Sequence, residues 1–179
     1  MKNLQPGSYR IDSREPASGW YQKSIAVGPA ARSVSVARDG VTVKSGERAS
    51  LVTITIAEGA AKLRGKITLA EGQSLSPNLR VYMIPAEREN SENVLRFYEA
   101  RPDAERSFTI DNVAPGRYLI VARLMEENDF GTAKAIRQDG VFRAKVVHDA
   151  EALKKDIAFK PCEQLADYQL PYSPPTSQQ

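Results

Sequence analysis

A short segment at the start of the chain returns past its middle. Asn3-Leu4-Gln5-Pro6-Gly7-Ser8-Tyr9-Arg10-Ile11 is answered by Asn112-Val113-Ala114-Pro115-Gly116-Arg117-Tyr118-Leu119-Ile120. Each shared position has a mechanical role. Proline pre-sets its φ for a tight turn and glycine accepts a positive φ, so Pro6-Gly7 and Pro115-Gly116 predict turns. Tyr9 and Tyr118 then each open a strand whose alternate residues face one side. One turn-strand unit used twice at domain-sized separation predicts tandem copies of a single β-domain.

The copies are unequal, because the first begins almost on its motif. Residues 1–58 therefore read as the C-terminal part of a first β-sandwich, 60–162 as a complete sandwich, and 163–179 as an extended tail. A partial sandwich leaves strand edges unpaired, so another segment should cover them by strand addition, either from a copy of the chain or from a longer protein of which this is a fragment.

Short alternating runs support the all-β reading. Ser24-Ile25-Ala26-Val27, Val41-Thr42-Val43 and Leu51-Val52-Thr53-Ile54-Thr55-Ile56 have the period of a half-buried strand, and Asp39-Gly40, Ser45-Gly46 and Glu58-Gly59 punctuate them. In the second unit, Leu63 to Leu69, Leu79 to Ile84, Val94 to Glu99, Ser107 to Ile110, Arg117 to Leu124 and Asp156 to Phe159 continue the pattern. Glu87 to Asn93 reads as a hairpin tip or an exposed loop. Between 141 and 155 the period changes: Phe142, Val146, Ala150 and Leu153 recur at helical spacing, with Glu151 and Lys155 as an i,i+4 pair, which predicts one short helical insertion.

Taken in order, these strands resemble the carboxypeptidase regulatory-domain-like family. These are transthyretin-like or Ig-like β-sandwiches related to the B-type repeats of bacterial collagen adhesins. The resemblance rests on Leu63-Arg64-Gly65-Lys66-Ile67, on Val81-Tyr82-Met83-Ile84-Pro85, on Phe108, and on Val113 to Ile120. It spans 60 to about 160, and only the back half of it recurs in 1–58. The family's Asp-x-x-Gly turn is replaced here by Asp103-Ala104-Glu105-Arg106-Ser107. The resemblance implies a non-catalytic structural or adhesive module, extracellular or at the cell surface, with protein partners or glycans. Adhesin repeats can form a Lys–Asn amide bond; Lys66 stands where that lysine would be, but the last strand offers Asp156 and no asparagine, so Lys66 is expected to be an ordinary exposed lysine.

Composition narrows the function classes. A hydrophobic content of 41% suffices for a core. The 25 basic and 22 acidic residues give a net charge of +3 and are scattered, which does not indicate a nucleic-acid partner. No apolar run reaches membrane-spanning length, and Met1 to Pro6 carries no apolar leader. Catalytic and metal-ligating residues are expected to be none, and so are cofactors. His148 is the only histidine and sits on the expected helix, remote in sequence from Cys162, the only cysteine. Cys162 is expected to be partly covered by the C-terminal segment. Glu126, Glu127 and Asp129 lack the ligand alternation of a calcium loop.

Aromatic residues supply the one candidate binding pair. Trp20 and Tyr21, read as lying in a loop, could stack on a sugar; alternatively Trp20 covers one end of the partial sandwich. Phe97 and Tyr98, adjacent in a strand, should point one in and one out.

Overall fold

The computed structural model describes residues 5–11, 13, 15–29, 34–46, 51–125 and 136–173. In the first part, β1 (Gly7–Tyr9) is followed by β2 (Trp20–Val27), β3 (Val34–Ser35), β4 (Val41–Val43) and β5 (Val52–Glu58). β1 pairs with β4, and β2 lies between β3 and β5, all antiparallel. The second part carries β6 (Ala61–Thr68), β7 (Leu79–Pro85), β8 (Tyr98–Ala100), β9 (Ser107–Val113), β10 (Gly116–Leu124), helix α1 (Gly140–Leu153), β11 (Asp156–Phe159) and β12 (Gln164–Pro171). Among the described residues, the protein is an all-β sandwich structure with one short α-helix.

From Ala61 onward two sheets face each other, one ordered β11-β10-β7-β8 and the other β12-β6-β9. β6 shows why they stack. Ala61, Leu63, Gly65 and Ile67 are buried, whereas Arg64, Lys66 and Thr68 are exposed, so one face is dry and one wet. Its apolar face joins Val81, Met83, Phe108, Ile110, Tyr118, Ile120, Phe159 and Leu170 in the core between the sheets. Gly65 is required there by close approach: a Cβ would lie 2.5 Å from the Phe108 ring and 2.8 Å from the Tyr168 carbonyl oxygen.

β7 is buried on both faces. Val81 and Met83 enter the inter-sheet core, while Tyr82 and Ile84 meet Val121, Ile136, Val146 and Ala150 beneath α1. The Asp139 carboxylate caps α1, accepting from the Val141 and Phe142 amides (2.9 and 3.1 Å). Arg123 on β10 reaches Asp149 (3.2 Å) and lies over the Phe142 ring, tying helix to sheet. The helical spacing is realised through Phe142, Val146 and Ala150, but Leu153 is exposed at the last turn. Lys154 closes the helix at φ 50, so Lys155 leaves the helical register and donates to the Pro171 carbonyl (3.2 Å) instead of lying one turn from Glu151.

Three expectations change. Gln164–Pro171 is a strand and not a tail: β12 runs parallel to β6 and buries Leu170 in the core. Val94 to Arg96 forms a 3-10 turn before the short β8. Phe97 and Tyr98 both become buried, because the sheet they join is covered on both faces. Phe97 enters the layer under α1 and Tyr98 the core between the sheets.

The two turn-strand units share a local plan. Gly7 pairs with Val43 and Tyr9 with Val41; Gly116 pairs with Phe159 and Tyr118 with Ile157. After the return strand, each chain turns and enters a second sheet, as β5 in one case and β12 in the other. The units meet at Gly59, whose amide, with that of Ala60, donates to the Gly19 carbonyl, while its own carbonyl accepts from the Cys162 amide.

Candidate functional site

The repeated turn is a structural clamp. Tyr118 donates its hydroxyl to the Ala114 carbonyl (2.6 Å), and Tyr9 does the same to the Gln5 carbonyl (2.6 Å), four residues back in each case. Around Tyr118 the clamp is elaborate. Arg96 donates to the Pro115 carbonyl (2.9 Å) and to the Tyr118 oxygen (3.3 Å), and the Tyr98 oxygen accepts from the Ala114 amide (2.9 Å). Burial holds the Tyr118 hydroxyl protonated far above the usual tyrosine range, reinforced by the neighbouring Tyr98. Gly116 takes φ 145, and a Cβ there would approach Arg96 Nη1 to 2.8 Å. Gly7 is not in the positive-φ region, so of the two glycines only Gly116 needs that freedom. Pro6, Gly7, Tyr9, Pro115, Gly116 and Tyr118 thus serve the frame.

Trp20 and Tyr21 lie in β2 and not in a loop. Trp20 stands opposite Glu58 and Tyr21 opposite Ala57, so the two rings belong to opposite faces of the sheet, and both are half-buried. They do not form one stacking platform. Cys162 is exposed at the turn before β12, in contrast to the expected cover. His148 is exposed on α1, and Lys66 is exposed on β6. Glu126, Glu127 and Asp129 lie outside the described residues. Among the described residues, no group of three or more His, Cys, Asp or Glu side chains is arranged to hold a metal, and no helix is long and apolar enough to cross a membrane.

A groove runs between α1 and the segment after β7, lined among others by Arg38, Glu87, Arg88, Glu92, Arg143 and His148. Its cations are largely engaged. Arg38 pairs with Glu92, while Arg143 lies over the Phe97 ring and donates to the Ile136 and Arg137 carbonyls. Burial, with Arg38 nearby, lowers the Arg143 pKa. Arg10 donates to the Arg38 and Gln138 carbonyls, so these arginines join the first unit to the second.

The feature that remains open is β5. Its inner face aligns Val52, Ile54 and Ile56 opposite Val27, Ile25 and Gln22 of β2. Ile25 is fully buried, yet Ile54 and Ile56 are 37% and 36% exposed and Leu51 is 67% exposed. The period of two indicated a half-buried strand, and the cover over β5 is thinner than that. β2 leans on β9 and on the Val94–Arg96 turn, which leaves β5 at the outside of its sheet. Among the described residues, no strand pairs with its outer edge. The run from Leu51 to Ala57 contains no charge and no proline, and that was the signal in the sequence that could have singled it out.

No protein-family model matches the chain, and neither a curated protein nor a solved structure matches it.

Proposed function

We propose that this chain is a non-catalytic structural or adhesive β-sandwich module of a bacterial surface or secreted protein, making contacts through an open strand edge. The observation that carries this reading is β5, a long edge strand without proline and without charge before its last residue, Glu58, beside a half-covered apolar face. The joint between the units also supports it. Backbone bonds at Gly59 and arginine bonds from Arg10 to Gln138 would transmit load from one unit to the next. The sequence resemblance to carboxypeptidase regulatory-like domains, which rests in part on the turn at Pro115-Gly116, supports a module of this kind. Trp20 and Tyr21 occupy opposite faces and offer a glycan no common stacking surface.

Cys162 offers a direct test of placement, because it is the only cysteine and is exposed. A membrane-impermeant maleimide should label the chain in intact native cells or in their medium. Labelling only after lysis would refute the surface or secreted placement.

A further inference from the structure

The geometry points to the partner of β5: a second copy of the same strand, paired antiparallel across a two-fold axis at Ile54. This rests on the reading of the chain as a contact module and names what the open edge contacts.

Backbone direction comes first. The Gly28 amide donates to the Leu51 carbonyl (2.9 Å), so Leu51 faces β2. Residues of an antiparallel ladder alternate between facing the partner and facing away. Thr53 and Thr55 therefore spend their backbone groups on β2, while Val52, Ile54 and Ile56 aim N–H and C=O outward. Among the described residues, the edge is a row of unpaired donors and acceptors carried by its most apolar residues.

The sequence of the strand then selects the occupant. Val52-Thr53-Ile54-Thr55-Ile56 reads nearly the same in both directions about Ile54. In a two-fold antiparallel pair Ile54 faces Ile54, Thr53 faces Thr55, and Val52 faces Ile56. These are the β-branched cross-strand pairs that stabilise sheets, and no like charges are opposed anywhere from Leu51 to Ala57. Because Ile54 aims both backbone groups outward, the axis falls on a hydrogen-bonded pair, and Val52 with Ile56 completes the ladder on either side. The half-exposed isoleucines of the two copies would lie side by side on a continuous face, covering what each copy leaves open.

Among the described residues the other edges are defended, β1 and β4 by a length of three residues each. β3 spans only Val34–Ser35 and β8 only Tyr98–Ala100, with Glu99 between. β11 begins at Asp156; β9 carries Asp111 and the left-handed Asn112. β12 is interrupted by an irregularity at the left-handed Asp167 and ends at Pro171. Short length, charge, irregular backbone and proline are the devices that prevent edge pairing. From Val52 to Ala57 β5 has none of them, and its one charge, Glu58, stands at the last residue.

The test is sedimentation of the full chain from low micromolar to several hundred micromolar concentration. A concentration-dependent dimer is expected, with the Val52, Ile54 and Ile56 amides slowing in hydrogen exchange as the dimer forms. Ile54→Lys sets two lysines against each other and should weaken association at least tenfold. Ile54→Pro removes only an outward N–H, which an edge tolerates, and should do the same. Trp20 fluorescence on the adjacent β2 checks that each variant remains folded. Gln169→Glu, on β12, should leave the dimer unchanged. A chain that is monomeric throughout the range overturns the pairing. So does a dimer indifferent to both Ile54 variants, or one abolished by Gln169→Glu. Surface placement is read separately at Cys162, so either idea can fail without the other.

Discussion

The two tyrosine clamps have the same covalent sequence pattern and different surroundings, so substituting each tyrosine by phenylalanine separates motif from environment. Tyr118 is fully buried, and its hydroxyl donates to the Ala114 carbonyl at 2.6 Å while accepting from Arg96. Tyr118→Phe removes a hydrogen bond whose net contribution is about 1 kcal/mol and leaves a buried carbonyl short of a donor, a further cost of about 1 kcal/mol or more. The expected loss is about 2 kcal/mol, or roughly 4–8 °C in melting temperature for a chain of this size. Tyr9 is only half-buried and Gln5 is exposed, so water replaces the lost donor. Tyr9→Phe should therefore cost about 0.5 kcal/mol.

The pH dependence gives a second reading of the same site. The folded pKa of Tyr118 lies above the unfolded value, so the native chain keeps a proton that the unfolded chain releases. This contribution is complete below pH of about 10 and is lost as pH rises beyond it, and Tyr118→Phe should remove that part of the alkaline slope. Denaturant unfolding followed by circular dichroism at neutral and alkaline pH measures both effects. Equal losses for Tyr9→Phe and Tyr118→Phe, or an unchanged alkaline slope, would refute the argument that burial sets the worth of the clamp.

Other outcomes follow from packing and backbone geometry. Gly65→Ala should lose about 2 kcal/mol in the same unfolding assay, since a methyl group must displace the Phe108 ring or the Tyr168 carbonyl. Arg106 sits at φ 68 in the turn where Asp103 accepts from the Ser107 amide, a conformation that favours glycine. Arg106→Gly should hold or slightly raise the melting temperature, and Arg106→Val should lose about 1 kcal/mol or more, because a β-branched residue resists that conformation. In the described part of the first unit only Ile25 and Val43 are buried apolar residues, so Trp20 fluorescence should change at lower denaturant than circular dichroism. Coincident transitions would show instead that the two units unfold as one.

The site divided between what was legible and what was not. The Pro-Gly-x-Tyr turns were visible as a repeat, and their positions at Tyr9 and Tyr118 are those of matching clamps. The open edge was legible only as an alternating strand. Nothing local to Ile54 indicates that β2, and not β5, would be the strand resting on the neighbouring unit. Gly19 before Trp20 and Tyr21 is a turn signal and predicts a loop there. Their pairing with Glu58 and Ala57 involves residues far along the chain, and it sends the rings to opposite faces.

By itself the sequence determined the elements whose cause is local: the period-two strand from Ala61 to Thr68, the helix through Phe142, Val146 and Ala150, and the turns at proline and glycine. Tertiary structure decided which faces are covered. Phe97 and Tyr98 do point to opposite sides, but α1 closes the side that alternation alone would assign to water. Gln164–Pro171 is polar and ends in proline, and it becomes a strand only because distant β6 offers it a parallel edge and a place for Leu170. The physical reason is that periodicity and turn propensity act over a few residues, whereas burial depends on the segments that arrive from elsewhere.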